Sequence, residues 1–396
     1  MKSILNKLNN KWIRGALPAL LIHCSIGSVY AWSMFVLPIS KQLSISTQLI
    51  QFAFSLAIFF LGMSASFGGK LVEKNVKKSA IVSTICFCSG LLLTSLAIKY
   101  NSLIGIYIGY GCLMGIGLGI GYITPIKTLM LWFKEQKGLA TGIAITGFGF
   151  ASAIASPLIT FLLTKFSIAN TFNILGVIYF IPMIIAFLLI KKPYWYVESI
   201  EESEFKVLSM FKNKTFIGIW VMIFLNISSG LALISVASPI MSEINTPIAR
   251  ISLIIAIMGI FNGLGRLLFS ALSDKLKDRN NIYKFIFGLS AIMMIITIFF
   301  HSFIIVSLCV ISTCYGAGFS NLPSLLSDKF GMDNISKIHG LELTAWAMAG
   351  LVGNQLSTFI KNTTGSYLNI LVILLMTYAI GFVICSKISN KKSLDK

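Results

Sequence analysis

Long apolar runs recur along the whole chain, and each is long enough to cross a lipid bilayer as one helix. A helix rises about 1.5 Å per residue, so about 20 apolar residues span the hydrocarbon core. The chain is 56% hydrophobic and only 11% charged, roughly half the charge usual in a soluble domain. The sequence therefore predicts an all-α membrane protein. Twelve runs are expected to be transmembrane helices, over 12–36, 48–69, 79–98, 102–126, 138–163, 169–190, 215–240, 251–272, 282–300, 302–326, 338–360 and 366–386.

The net charge of +19 would suggest nucleic acid as a partner in a soluble protein, but its placement indicates membrane topology. With the N-terminus in the cytoplasm, most of the 32 Lys and Arg residues fall in cytoplasmic connections, as the positive-inside rule requires. We therefore expect both termini to be cytoplasmic, a location in the plasma or inner membrane, and lipid rather than nucleic acid as the partner. The outer connections hold Lys41, Lys99, Lys165, Arg250 and Lys361.

No pattern typical of a catalytic or metal site occurs in the sequence. The seven cysteines fall within the apolar runs, and no CxxC pair or Cys/His spacing of a metal site is present. The sequence also lacks a P-loop and a nucleophile–base arrangement. We therefore expect a protein that is not an enzyme and needs neither a cofactor nor a metal. We also expect it to be a monomer.

The chain divides near its middle into two related parts. Residues 191–214 form the longest polar stretch and separate residues 1–190 from residues 215–396. Features of the first part recur in the second at a nearly constant spacing, which indicates two six-helix halves. Two such halves facing a central site are typical of alternating-access transporters. The recurring pairs are Pro38 and Pro239, Gly62 and Gly263, Glu73 and Asp274, Pro125 and Pro323, and Gly138 and Gly340.

Arg266 is the charge that is hardest to place, because it interrupts the apolar run 251–272. A guanidinium stays protonated, so within a membrane it needs an anionic partner or a polar cavity. One interpretation is that it binds a substrate carboxylate, with Asn262, one helical turn away, orienting it. The other pairs it with Glu342, which lies at a similar depth and is also a candidate for gating or proton coupling. Both hold if the substrate displaces Glu342.

Several aromatic residues and one histidine are further candidates for a central site. Trp346 shares a helix face with Glu342 by i, i+4 spacing, and aromatic walls select substrates by shape; the alternative for each ring is ordinary packing. His23 lies near the middle of the first run, and histidine changes its charge near neutral pH. It is therefore a candidate for proton coupling, although a buried structural histidine is the simpler interpretation. The other cavity-wall candidates are Tyr30, Tyr122 and Phe148.

Two loops carry an acidic residue among basic ones. Residues 69–78 resemble the G-x-L-x-D-R-x-G-R-K signature of the major facilitator superfamily, with Glu73 in place of the aspartate. The corresponding loop 270–279 contains Asp274. An acid at a helix end can latch the two halves on the cytoplasmic side, whereas the simpler interpretation is charge that only sets topology. The repetition favours the latch, so we expect Glu73 and Asp274 to act in gating.

Longer stretches resemble the oxalate/formate antiporter family, on the monocarboxylate-transporter side of that superfamily. The resemblance implies transport of an organic anion through an aromatic-lined cavity, by exchange or with protons. The oxalate-transporting member clamps its dicarboxylate between an arginine on helix eight, matched by Arg266, and a lysine on helix eleven, where this chain has Ala349. One fixed positive charge balances a monoanion better than a dianion, so we expect a monocarboxylate. These stretches are 30–35, 119–125, 137–142, 147–150 and 344–346.

Two other functions remain open. An amino acid or other zwitterion would suit Arg266 and Glu342 together, and a neutral metabolite would leave Arg266 paired with Glu342. A non-transporting membrane receptor would need a soluble sensory domain, which we do not expect from this sequence.

Overall fold

The computed structural model describes residues 10–196, 207–331 and 335–388, and over these residues the chain contains helices and no strands. Short 3-10 or π-helical turns join several α-helices end to end. The α-helices are α1 (Leu17–Ile26), α2 (Ser33–Leu43), α3 (Thr47–Lys74), α4 (Val76–Lys99), α5 (Leu103–Ile106), α6 (Gly115–Trp132), α7 (Lys137–Lys165), α8 (Ile168–Leu189), α9 (Lys214–Ile234), α10 (Ala237–Glu243), α11 (Ile248–Ser273), α12 (Asn280–Phe299), α13 (Ile304–Phe330), α14 (Ile335–Glu342), α15 (Thr344–Thr364) and α16 (Ile370–Lys387).

Eleven helices in the described ranges are long and apolar enough to cross a membrane. Their outward faces carry large apolar side chains: Phe67 in α3 is 76% exposed, and Ile104 in α5 is 70% exposed. Such side chains are stable against lipid, where helices satisfy their own backbone hydrogen bonds. The fold agrees with the membrane protein that the apolar runs predict.

Successive long helices run in opposite directions between two ends of the bundle. One is the Asp274 end, which holds the α6–α7 and α11–α12 connections. The other is the Glu243 end, which holds the α2–α3 and α10–α11 connections. In the linker after α8, residues 197–206 lie outside the described residues.

The predicted run 338–360 differs from a continuous apolar helix. The chain forms α14 and α15 there, with an interruption at Leu343, and this run is not among the eleven. The reason is that α15 carries polar side chains that face another helix rather than lipid. Gln355, Thr358 and Asn362 all form hydrogen bonds with side chains of α3.

Two other predicted spans are also interrupted, both towards the Glu243 end. The run 12–36 divides into α1 and α2 around the 3-10 turn Gly27–Ala31, and the run 215–240 divides into α9 and α10. Pro239 explains the second interruption, because proline has no N–H to donate to the carbonyl four residues earlier. In the first turn of α10 the missing N–H costs no helical hydrogen bond, because the first N–H groups of any helix have no partner within it.

Residues 10–190 and residues 214–388 pack together most closely along two seams. One seam lies between α3 and the successive helices α14 and α15, and the other lies between α7 and α11. Glycines allow the backbones to approach. A Cβ atom on Gly62 would lie 2.6 Å from the backbone nitrogen of Ala347, and one on Gly149 would lie 2.6 Å from Cα of Gly263. Close packing of small residues is a main source of affinity between membrane helices.

We expect Gly149→Ala to lower the thermal unfolding midpoint of the detergent-solubilised protein. The added methyl group has no room against Gly263, and overpacking of this kind costs about 1–3 kcal/mol. The matched control is Gly288→Ala, where the nearest heavy atom would lie 3.7 Å away, an ordinary contact. Equal midpoints for the two variants would contradict the tight contact between α7 and α11.

Candidate functional site

Arg266 projects from α11 and is completely buried. Its Nε donates a hydrogen bond to Oδ1 of Asn262, one turn earlier on the helix, at 2.9 Å. Nη1 and Nη2 have no partner at hydrogen-bond geometry, and the nearby hydroxyl of Tyr30 lies within reach of the guanidinium. Buried polar groups are nearly always paired, so a fixed guanidinium with two free amino groups indicates a binding function.

Two aromatic rings enclose the guanidinium. Its Cζ atom lies 5.4 Å from the ring centre of Phe148 on α7 and 5.2 Å from that of Phe319 on α13. Both distances are within the range of cation–π attraction. Because Phe148 precedes the linker and Phe319 follows it, the charge lies where the two parts of the chain meet.

Trp346 extends this aromatic layer from α15. Its ring centre lies 4.3 Å from that of Phe319, 5.0 Å from that of Tyr122 on α6, and 5.9 Å from that of Phe148. The indole Nε1 of Trp346 and the hydroxyl of Tyr122 are buried and have no partner. The layer therefore combines an apolar surface with two hydrogen-bond donors, and Tyr122 lies within electrostatic range of Arg266.

Tyr30 extends the layer next to Arg266. Its hydroxyl lies 2.7 Å from that of Tyr315 on α13, and its ring centre lies 5.1 Å from that of Phe148. This contact also joins the two parts of the chain. Next to it is a small cavity lined by Tyr30, Ser152, Ile234, Ile255, Met258, Gly259, Asn262 and Ser312.

His23 is buried beside the aromatic layer rather than within it. Its Nε2 lies 3.0 Å from the carbonyl oxygen of Tyr122, and its Nδ1 contacts the carbonyl oxygen of Ala144. The ring stacks on Tyr122 with centres 5.5 Å apart. These contacts tie α1 to α6 and α7, and a role in proton coupling stays a prediction.

Glu342 is the last residue of α14 and is completely buried. Both of its carboxylate oxygens lack a hydrogen-bond partner, so the ion pair with Arg266 is not formed in this structure. His339, one turn earlier, is also buried, and its ring centre lies 6.5 Å from that of Tyr122.

Asp274 joins the two parts of the chain at its own end of the bundle. Its carboxylate accepts a hydrogen bond from the backbone N–H of Leu139, in the first turn of α7, at 3.1 Å. It also pairs with Arg279 at 2.8 Å, and Arg279 pairs with Asp328 at 2.7 Å. A carboxylate at a helix N-terminus stabilises the helix dipole and its free N–H groups. The side chain of Glu73 lies outside the described part of the chain.

The helix pair α3 and α15 closes the Glu243 end with uncharged hydrogen bonds between side chains. At the other end of the same seam, Ser66 donates a hydrogen bond to the carbonyl of Gly340 at 2.6 Å. Arg266 is therefore enclosed from both ends. The side-chain pairs are Asn362 with Gln48 at 2.8 Å, Thr358 with Gln51 at 2.8 Å, and Gln355 with Ser55 at 3.3 Å.

The structure thus brings together Arg266, Asn262, Trp346, Tyr122, Phe148 and Tyr30. Sequence reasoning missed two members of this group, Tyr315 and Phe319. They are four residues apart on α13 and so share one helix face, but many aromatic pairs in the chain have this spacing. The signal was present without being specific.

Known proteins are similar in sequence to this chain over most of its length. Residues 19–354 match the family model of the Major Facilitator Superfamily. The uncharacterised MFS-type transporter YhjX of Escherichia coli K12 is 25% identical over 85% of this chain and 85% of its own. The oxalate:formate antiporter of Oxalobacter formigenes is 24% identical over 90% of this chain and 87% of its own.

Solved structures share the fold. A bacterial homologue of the iron transporter ferroportin, in an outward-facing state, has a TM-score of 0.71 at 14% identity and covers 95% of this chain and 99% of its own. The MFS transporter FucP, in an outward conformation, has a TM-score of 0.63 at 15% identity, over 93% and 98% of the two chains. With the family model matching most of its length, the chain belongs to the Major Facilitator Superfamily and is a membrane transporter, not an enzyme.

Proposed function

We propose that this protein is a secondary transporter of a small organic anion, a monocarboxylate, and that Arg266 is its anion-binding group. One observation carries the proposal: a fully buried guanidinium presents two free amino groups where the two parts of the chain meet. Its planar fork matches a carboxylate, which accepts two parallel hydrogen bonds. The name of the Oxalobacter relative, an oxalate:formate antiporter, supports the anion class and exchange.

The charge of the site favours a monoanion. Two unit charges 4 Å apart attract by about 4 kcal/mol at the effective dielectric near 20 that suits proteins, so a second negative charge needs a second cation. In the oxalate/formate antiporter family, which this chain resembles, the oxalate-transporting member has a lysine on helix eleven as the second cation. This chain has Ala349 at that position, and Ala349 is buried. A monocarboxylate leaves the occupied site neutral.

We also propose that α15 crosses the membrane, which makes twelve transmembrane helices in two halves of six, residues 1–190 and 215–396, joined by residues 191–214. The two closest seams support this, because Gly62 and Gly263, which recur at the repeat spacing, occupy corresponding places in them. We assign the Asp274 end to the cytoplasm of a plasma or inner membrane, from the distribution of basic residues. The protein works as a monomer.

In this proposal the contacts at the two ends act as gates. The hydrogen bond from Leu139 to Asp274 and the one from Ser66 to Gly340 close the cytoplasmic end. The side-chain pairs between α3 and α15 close the outer end. Alternating access requires that one set opens while the other stays closed. Glycine-lined seams suit such movement, since they present smooth surfaces.

A zwitterionic substrate such as an amino acid is the second candidate. The observation in its favour is Glu342, whose buried and unpaired carboxylate would attract an ammonium group. The aromatic layer favours the monocarboxylate instead. Phe319 packs on Arg266, and Trp346 packs on Phe319 from α15, after the interruption at Leu343. Glu342 lies before that interruption, at the end of α14, and outside this layer.

We expect Arg266→Gln to slow exchange strongly in proteoliposomes that contain unlabelled anion and receive labelled formate, lactate, oxalate or leucine. Losing one partner of a buried charge pair costs at least about 2 kcal/mol, so exchange should fall by at least about thirtyfold. Arg266→Lys keeps the charge without the fork, and we expect an intermediate rate.

The matched control is Arg250→Gln, an exposed arginine near the start of the same helix, which should exchange at the unaltered rate. We expect formate or lactate to be exchanged faster than oxalate. Exchange of leucine alone would favour the zwitterion, and undiminished anion exchange by Arg266→Gln would refute the proposed site.

We expect Asp274→Asn to open the cytoplasmic end more often. The change weakens the cap on α7 and the pair with Arg279, and loss of a helix cap costs about 1 kcal/mol, or about fivefold in population. The readout is the rate of maleimide labelling at Ser270→Cys, a buried position in the α7–α11 seam, after the seven native cysteines are replaced by serine.

Asp328→Asn is the control for this measurement. It also removes an ion pair with Arg279, but it leaves the hydrogen bond between Asp274 and Leu139 in place. Equal labelling rates in the two variants would contradict a gating role for Asp274.

A further inference from the structure

The small cavity beside Tyr30 adjoins the guanidinium of Arg266. Tyr30 forms part of the cavity wall, and its hydroxyl lies within reach of the guanidinium. Asn262 also forms part of the wall, and its side chain accepts the hydrogen bond from Nε of Arg266. A molecule whose carboxylate binds Arg266 therefore has this cavity beside it for its remaining atoms.

The cavity wall is buried, and no described residue of its lining carries a charge. Ile234 on α9 and Ile255 and Met258 on α11 supply carbon atoms. The hydroxyl of Ser312 on α13 donates its proton to the carbonyl of Leu308 at 2.7 Å, so that proton is not offered to a guest. A second carboxylate in the cavity would be a buried charge without a partner, which is strongly unfavourable. An uncharged group suits this wall.

The size of the cavity limits its occupant more strictly than its chemistry does. It has room for about one group the size of a water molecule, which corresponds to a single methyl group. The wall towards α7 is close-packed, because a Cβ atom on Gly259 would lie 2.7 Å from the backbone nitrogen of Ala153. In a site of this kind one methylene too many lowers the rate by at least about tenfold.

The two parts of the chain build the wall together. Tyr30 in the turn before α2 and Ser152 on α7 precede the linker, whereas Met258 and Ser312 follow it. In an alternating-access cycle the cavity is therefore complete only when the two parts close around the substrate. An acid whose carbon chain is too long for the cavity would hold the two parts apart.

We propose that this cavity is the subsite for the carbon chain of the substrate and that it selects monocarboxylates of two carbon atoms, with acetate as the simplest. The inference rests on the proposed anion transport at Arg266 and adds the size of the substrate. Formate leaves the cavity empty, acetate fills it with a methyl group, and longer acids exceed it. Because selection acts at closure, a longer acid binds Arg266 in an open state without being carried across.

The first test measures exchange of labelled formate, acetate, propionate and butyrate by the unaltered full chain in proteoliposomes, with protein-free vesicles as the background for passive diffusion. We expect half-saturation at an acetate concentration about fourfold below that of formate, the factor that one buried methyl group contributes. Butyrate should be exchanged at least about tenfold more slowly than acetate. Unlabelled butyrate should nevertheless inhibit the exchange of acetate.

The second test enlarges the cavity with two variants. Met258→Ala shortens a side chain of the wall, and we expect the ratio of butyrate to acetate exchange to rise at least about tenfold. Ile255→Val is a milder change that removes a single methyl group, and the ratio of propionate to acetate exchange should rise about fourfold. A ratio of two substrates within one variant is independent of how much folded protein the vesicles contain.

Met294→Ala is the matched control, because Met294 on α12 is completely buried and does not line the cavity; it should leave every ratio unchanged. Equal exchange of acetate and butyrate by the unaltered protein would overturn the inference. Unchanged ratios in the enlarged variants would also overturn it, and Ile255→Val decides alone if Met258→Ala does not fold. Butyrate that is neither exchanged nor inhibitory would contradict selection at closure.

These outcomes are separable from failure of the proposed function. If the unaltered protein exchanges none of the four acids, monocarboxylate transport is refuted and the inference falls with it. If it exchanges all four at equal rates, transport at Arg266 stands and only the subsite is refuted. Arg266→Gln gives a contrasting pattern, because it should slow the exchange of every acid, whereas Met258→Ala and Ile255→Val should change the order among them.

Discussion

The cost of burying a guanidinium determines much of this structure. Arg266 cannot lose its proton, so the surrounding residues must stabilise a fixed positive charge in a membrane protein. Asn262 fixes its orientation, and Phe148 and Phe319 offer the negative faces of their rings. Two amino groups remain without a partner. The proposed function assigns these two groups to an anion, and the closest packing between the two parts of the chain lies around them.

The local sequence predicted the helices and the central charge because both depend on short-range properties. Apolar runs are read from consecutive residues, and an arginine within one of them is visible without any structure. Asn262 could be placed beside Arg266 for the same reason, since i, i+4 neighbours meet on any helix. The interruption at Leu343 was not predictable in this way, because it follows from how α14 and α15 pack against α3.

Residues that meet only through the fold were harder to assign. Tyr315 and Phe319 join the aromatic layer because α13 lies beside α11, which their own sequence does not reveal. The alternative interpretation that paired Glu342 with Arg266 rested on similar depth in two helices, but equal depth does not fix the rotation of each helix. In the structure the two form no hydrogen bond, so Glu342 is not a resting counter-ion of Arg266.

The contacts that close the two ends differ in chemical type. At the Asp274 end a carboxylate, a guanidinium and a helix terminus are involved, and these side chains are partly exposed. The described side-chain pairs between α3 and α15 at the Glu243 end are amides and hydroxyls. Dissolved salt screens exposed charges, with a Debye length of about 8 Å at physiological ionic strength, but has little effect on neutral hydrogen bonds. With the Asp274 end assigned to the cytoplasm, as proposed above, a cell that meets changing salinity outside would keep a constant outer closure, while its own regulated cytoplasm sets the ionic conditions of the inner one.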